Sequence, residues 1–175
     1  GLAFLIAVVA AYAGGWVDLV SQRVLEVLLA FPTLILALLL LVALGGGVST
    51  IIIAIAIIQI PGTSRVIRSR VLSVKEEPYV EAARVVGATP WRVAMRHVAP
   101  QNLGLVLVLF SIDLGFAVFT EAALSFLGVG ISPPTPSWGN MLGSIVAQTF
   151  NPAWWLVVFP GAAIVLTVLA MNLLG

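Results

Sequence analysis

The chain has 175 residues, of which 61% are hydrophobic and only 9% are charged, and its formal net charge is +1. Soluble globular domains contain about 45–50% apolar and about 25% charged residues, so this composition excludes an ordinary water-soluble domain and predicts a membrane protein. The sequence has no cysteine, which excludes disulfide bonds and thiolate metal sites.

Apolar runs along the chain predict membrane-spanning helices, since about 20 apolar residues in a helix cross a hydrocarbon core of about 30 Å. The runs are residues 2–12, 24–44, 51–60, 103–119 and 154–174. We interpret the first as half of a longer span, and the third as short unless it continues past Pro61. The second is predicted to be a single helix that tolerates Pro32 as a kink. The predicted fold is an all-α, polytopic transmembrane bundle of about five spans, one domain over residues 1–175 truncated at both ends.

The basic residues are concentrated in one segment, residues 65–97, which holds seven of the eight Lys and Arg residues. The connections at residues 45–50 and 121–151 contain none. Because basic residues of membrane proteins accumulate on the cytoplasmic side, we expect the basic segment inside and the connection over residues 121–152 outside. The protein is therefore predicted to be a multi-pass protein of the cell (inner or plasma) membrane.

Two short helices are predicted inside the basic segment. Pro78 suits the first position of a helix, with an apolar stripe formed by Tyr79, Ala82, Ala83 and Val86, and Gly87 suits a left-handed C-terminal cap. Thr89-Pro90 predicts the start of a second helix that must end before Pro100. From these residues alone, the first helix is equally suited to the groove of a partner protein and to the lipid headgroups.

The same residues resemble a known motif. Glu81-Ala82-Ala83, Gly87 and the end at residues 97–100 are similar to the EAA loop of permease subunits of ABC importers, although His97 and Ala99 depart from the usual Ile and Leu. Residues 121–128 and 133–139, which read EAALSFLG and PPTPSWG, resemble the branch of that family that handles dipeptides, oligopeptides and nickel.

This resemblance implies an ATP-driven importer in which the chain supplies spans two to six of a six-span permease subunit and forms the pathway for peptides or nickel. It implies that Glu81, Ala82, Ala83 and Gly87, in a cytoplasmic coupling loop over residues 75–100, engage an ABC ATPase subunit. Further expected partners are a second, homologous permease subunit, an extracytoplasmic substrate-binding protein and the lipid bilayer, and no nucleic acid. The chain is expected to be no enzyme and to hold no cofactor, because ATP and magnesium would be bound by the ATPase.

Asp113 lies within an apolar span, where a carboxylate suggests a substrate pathway or a structural pair with a neighbouring helix. It also motivates the alternative of an ion-coupled secondary transporter with Asp113 as the ion site. A third possibility is a scaffold whose basic segment binds anionic lipid. Glu121 is predicted to order the following loop, and no metal site is expected because His97 is the only histidine.

Overall fold

The computed structural model describes residues 1–45, 47–131, 134–148 and 153–175, and every regular element in these ranges is helical. The helices are α1 (Leu2–Ala13), α2 (Gly15–Leu29), α3 (Thr33–Leu44), α4 (Val48–Lys75), α5 (Pro78–Val85), α6 (Pro90–Val93), α7 (Leu103–Phe126), α8 (Trp138–Gln148) and α9 (Trp154–Leu173). A π-helical turn (Ala94–Val98) and a 3-10 turn (Pro100–Asn102) connect α6 to α7. The all-α prediction is confirmed for these residues.

Three helical segments in the described part of the chain are long and apolar enough to cross a membrane. They are α4, the continuous stretch Pro90–Phe126, and α9. The consecutive helices α2 and α3 together would make one broken span, and α1 is a shorter apolar helix. These elements correspond to the five predicted runs, so the fold is a helical membrane bundle. The third run does continue past Pro61, which lies inside α4.

The prediction of one continuous helix over residues 24–44 is wrong. Helix α2 ends at Leu29 and α3 begins at Thr33, with Pro32 in the extended conformation (φ −56°, ψ 132°) as the N-cap residue. Proline has no N–H to donate to the preceding turn and disfavours helical dihedrals in the residue before it. The break at Pro32 is therefore a complete interruption of the helix and not a kink.

The predicted end of the second short helix before Pro100 is also wrong, because the backbone stays helical through that residue. The Ala99 N–H donates to the carbonyl of Ala94, five residues back, at 2.8 Å, which is the π-type bond of a widened turn. Asn102 is fully buried, and its Nδ2 donates to the Val98 carbonyl at 2.7 Å, the acceptor that its own N–H would meet in a regular helix. The Asn102 N–H donates instead to the Ala99 carbonyl at 3.1 Å, so the side-chain amide satisfies the Val98 carbonyl that this turn leaves free.

Helices extend into both of the connections predicted from the sequence. Arg65, Arg68 and Arg70 of the basic segment lie on α4, which ends at Lys75, where the coupling loop over residues 75–100 was predicted to begin. On the other side, α7 continues to Phe126, and α8 occupies much of the connection predicted over residues 121–152. Of that region, Ser132, Pro133 and residues 149–152 lie outside the described residues, as does Gly46 in the predicted Gly-rich break.

The described residues form two compact units, of which the first combines residues 1–30 and 59–109. Its core joins α1, the second half of α4 and the helices of the connection that follows. The buried members are Ala7, Val8, Ala11, Ile67, Val71, Val74, Val80, Val93 and Val98. The short helices of the basic segment are therefore packed against the membrane helices and do not lie free in solvent.

An ion pair joins α2 to α4 within the first unit. Arg68 binds Asp18 through both carboxylate oxygens, with Nε donating to Oδ1 at 2.6 Å and Nη2 donating to Oδ2. The Asp18 side chain is only 17% exposed and that of Arg68 is 28% exposed. A bidentate arginine–carboxylate pair fixes distance and orientation together, and partial burial reduces screening by solvent. This pair holds α2 beside α4.

The second unit combines residues 31–58 and 110–175. Its buried core contains Ala37, Leu41, Ile51, Ile55 and Leu124. The backbone of α8 lies very close to that of α7, because a Cβ atom at Gly139 would lie 2.2 Å from the Ala122 carbonyl oxygen and one at Gly143 would lie 2.6 Å from that of Phe126. These glycines are spaced G-x-x-x-G, the pattern that permits close approach of helices in membranes.

We expect Asp18→Asn to lower the stability of the purified protein by about 1–3 kcal/mol, because it leaves the Arg68 guanidinium half-buried without its charged partner. Thermal unfolding in detergent measures the change. Arg23→Gln is the control, since the Arg23 side chain is 73% exposed and its pair with Glu26 should contribute less than about 0.5 kcal/mol. Equal shifts for the two variants would contradict a structural role for the Asp18–Arg68 pair.

Gly139→Ala is expected to destabilise the second unit by more than about 1 kcal/mol, since the added methyl group overlaps the α7 backbone. Gly161→Ala on α9 is a matched control, because a Cβ atom there meets nothing within 4 Å. In that variant alanine's better helix propensity should leave stability equal or slightly higher. The stabilities of the two variants are compared by their midpoints of thermal unfolding. A Gly139→Ala protein as stable as the Gly161→Ala protein would refute the close packing of α7 and α8.

Candidate functional site

Helix α5 begins and ends with residues that define it sharply. Glu77 is the extended N-cap residue (φ −70°, ψ 142°) and Pro78 occupies the first turn, where its missing N–H costs nothing. At the other end Gly87 has φ +85°, a conformation that L-residues with side chains rarely adopt. Both ends are therefore located where the sequence predicted them, within one residue.

The end of α5 is a Schellman motif. The Gly87 N–H donates to the Arg84 carbonyl at 2.9 Å, and the Ala88 N–H donates to the Ala83 carbonyl at 3.1 Å. These two bonds satisfy carbonyls that the end of a helix would otherwise leave without partners. Thr89 follows at once as the N-cap of α6, where its side chain accepts a hydrogen bond from the Arg92 N–H at 3.4 Å. The turn between α5 and α6 is thus held by hydrogen bonds on both sides.

One face of α5 is directed into the first unit. Val80 is fully buried in the core, and Ala83 and Ala88 pack against the same cluster. The small side chain of Ala83 lets α5 lie close to its neighbours. Ala83, which was predicted to form one stripe with Tyr79, Ala82 and Val86, therefore belongs to the inner face.

The opposite face of α5 is exposed, and we call it the coupling surface after the role that is proposed for it below. It consists of Tyr79, Glu81, Ala82, Val85 and Val86. Val85 is 83% exposed and Val86 is 85% exposed, although both are apolar. An exposed apolar patch with one carboxylate, on a helix that is capped and packed on its other side, is typical of a protein-binding surface.

The remaining predicted site residues lie elsewhere in the chain. Asp113 is half-buried on α7 and takes part in a further interaction. The carboxylate of Glu121 accepts a hydrogen bond from the Ser125 hydroxyl at 2.6 Å. Ser125 Oγ in turn accepts a hydrogen bond from the Ile131 N–H at 3.1 Å. Glu121 is therefore connected to the backbone of the segment after α7, as expected for a residue that orders this loop.

One cluster of side chains in the first unit was not predicted from the sequence. Lys75 Nζ lies 5.3 Å from the centre of the Tyr12 ring, and the Arg84 guanidinium carbon lies 5.9 Å from it. Tyr12 is 63 positions from Lys75 in the chain, so no local pattern could have revealed the group. The only indication of this cluster in the sequence was the concentration of Lys and Arg residues in the basic segment.

The chain matches the family model described as "Binding-protein-dependent transport system inner membrane component" over residues 3–175. The chain belongs to this family. It is accordingly a multi-pass inner membrane component of a transport system. Together with the sequence motifs, the match identifies an ABC importer permease of the dipeptide and oligopeptide branch.

Similar proteins include the glutathione transport system permease protein GsiD of Pectobacterium atrosepticum, which is 40% identical over 166 residues, or 95% of this chain and 55% of that protein. GsiD of an Escherichia coli O1:K1 strain is 42% identical over 164 residues, or 94% of this chain and 54% of that protein. The chain therefore spans about half the length of these relatives.

Gly87→Ala should loosen the turn between α5 and α6, because a left-handed conformation costs an alanine about 1–2 kcal/mol. Gly87→Asn should be milder, since asparagine tolerates this conformation. Amide hydrogen exchange of α5 and α6 measures the effect, and we expect faster exchange in the order wild type, Gly87→Asn, Gly87→Ala. Unchanged exchange in Gly87→Ala would show that the Schellman motif does not hold the turn.

Proposed function

We propose that this chain is the transmembrane subunit of an ATP-driven importer, and that its coupling surface is received by a cytoplasmic ABC ATPase subunit. The observation that carries the proposal is that α5 has one buried and one exposed face. Val80 and Ala83 pack into the core of the first unit, whereas Val85 and Val86 are exposed. Family membership and the positive-inside orientation support a soluble partner on that side.

The energetics of α5 favour a protein partner over water. Burying Val85 and Val86 against a groove contributes about 1–2 kcal/mol for each side chain. Glu81 offers a charge to a basic residue at the edge of such a groove, and the small Ala82 allows close approach. In this proposal Ala83 and Gly87 hold the helix in position, while Glu81 and Ala82 contact the partner.

Movement of the ATPase would reach the membrane through the first unit. Val80 of α5 packs in the same core as Ile67, Val71 and Val74 of α4. Close-packed cores transmit displacement because they resist compression. A shift of α5 would therefore be passed to α4, a helix long enough to cross the membrane. ATP and magnesium would be bound by the ATPase and not by this chain.

We propose a peptide-like substrate. The relatives named above are glutathione permeases, and glutathione is a small peptide. Nickel, the other substrate of the branch that the sequence resembles, has no support from these relatives.

The substrate would be delivered by an extracytoplasmic binding protein, and a second, homologous permease subunit would complete the pathway. Asp113 stays a predicted pathway residue.

The experiment is Glu81→Lys in the complete transporter, reconstituted in proteoliposomes with its ATPase. We expect at least about a tenfold loss of ATP-dependent uptake, because charge reversal opposes a partner that accepts a carboxylate and a lost charged contact costs about 1.5–3 kcal/mol. Membrane insertion should be normal. Glu76→Lys makes the same charge change in the preceding turn, outside α5, and should retain most activity.

The same assay separates the proposal from the ion-coupled alternative. Uptake by the wild-type transporter that follows an ion gradient without ATP, and that is lost in Asp113→Asn, would favour a secondary transporter. Uptake that requires ATP, together with loss of ATPase co-purification in Glu81→Lys, supports the coupling role. Wild-type uptake in Glu81→Lys would refute that role.

A further inference from the structure

A basic groove lies in the first unit where α1, α4 and the α5–α6 connection meet. It has a volume of about 380 Å³ and is lined by Tyr12, Ala13, Lys75, Arg84, Ala88 and Pro90. Two of these residues are cations, and both lie within 6 Å of the centre of one aromatic ring. The other lining residues are uncharged, so Lys75 and Arg84 make the groove positively charged.

The cations retain hydrogen-bond donors for a ligand. An ammonium group has three N–H donors, and Lys75 uses two of them on the carbonyls of Ala11 and Tyr12, each at 3.3 Å. A guanidinium has five donors, and Arg84 uses one on the Lys75 carbonyl at 3.4 Å. Within the described ranges, neither cation forms an ion pair with a carboxylate. An anion that enters the groove would meet unused donors from both.

The groove lies near the cytoplasmic surface of the membrane. Helix α4 has 28 residues and is about 42 Å long, whereas the hydrocarbon core is about 30 Å thick. One end must therefore leave the hydrocarbon, and the basic end that terminates at Lys75 is the one suited to do so. Trp16, four residues after Tyr12, is 81% exposed, as expected for an interfacial anchor. Phospholipid phosphates occupy this depth.

We propose that the basic groove binds the phosphate group of an anionic phospholipid of the inner leaflet. Lys75 and Arg84 donate to the phosphate oxygens, and basic pockets between membrane helices on the cytoplasmic side are suited to such headgroups. Because Arg84 is on α5 and Lys75 ends α4, the bound lipid bridges the helix that carries the coupling surface to a membrane helix. The site does not depend on the coupling role of α5.

The test uses the full-length permease purified from membranes, with phosphatidylglycerol or phosphatidylcholine added and bound lipid counted by native mass spectrometry. We expect Arg84→Gln and Lys75→Gln each to weaken phosphatidylglycerol binding about tenfold, the effect of losing one charge-assisted hydrogen bond. Lys75→Arg, which keeps the charge, should retain binding. Arg70→Gln, an exposed cation on α4 outside the groove, should bind normally.

Several outcomes would overturn the proposal. Equal loss in Arg70→Gln would indicate only general attraction to the membrane surface, and unchanged binding in both groove variants would exclude the site. Displacement of the lipid by millimolar glycerol phosphate would identify a site for soluble phosphates. If the groove variants release the ATPase subunit and keep the lipid, the groove binds an acidic segment of that subunit. If Lys75→Gln fails to fold, the comparison of Arg84→Gln with Arg70→Gln is sufficient.

Discussion

The packing of Val80 into the core formed by α1 and α4 is the contact on which the position of α5 depends. It fixes which side of α5 is buried and therefore which side is exposed. Helix α5 has only eight residues, too few to be stable alone in water, so tertiary packing and its caps must hold it. The Schellman motif at Gly87 and the N-cap at Thr89 then fix the direction in which the chain leaves the helix. The coupling surface is thus a consequence of one buried valine and two caps.

Charged residues in this chain have distinct structural roles according to their partners. The Asp18–Arg68 pair is half-buried and bidentate and joins two helices, whereas Arg23 and Glu26 form an exposed pair of little energetic value. Lys75 and Arg84 bind backbone carbonyls and keep donors for an anion. A count of basic residues predicts which side of the membrane a segment occupies, but it treats all of these side chains alike. Arg68 is a helix-to-helix contact, while Arg84 faces a groove that is open to a ligand.

Prolines in this sequence have different effects because their surroundings differ. Pro32 lies at the break between α2 and α3, Pro61 and Pro160 lie within helices, and Pro100 follows a widened turn. At Pro100 the buried Asn102 amide bonds a carbonyl that the altered turn leaves free. In a membrane such side-chain hydrogen bonds matter more than in water, since no solvent is present in the hydrocarbon to bond a free backbone group. The sequence shows where the helix is interrupted, and the neighbouring side chains decide whether the interruption becomes a break.

Several features of this protein follow from the sequence alone. Composition established a helical membrane protein, and Pro78, Gly87 and Thr89 located the short helices, because caps depend on the conformational preferences of single residues. The motifs identified the family. Only the tertiary structure decided that Ala83 faces inward, that Arg68 pairs with Asp18 and that Tyr12 meets Lys75 and Arg84. These contacts join residues far apart in the chain, and a sequence pattern reports only the periodicity of one segment, not the surface against which that segment packs.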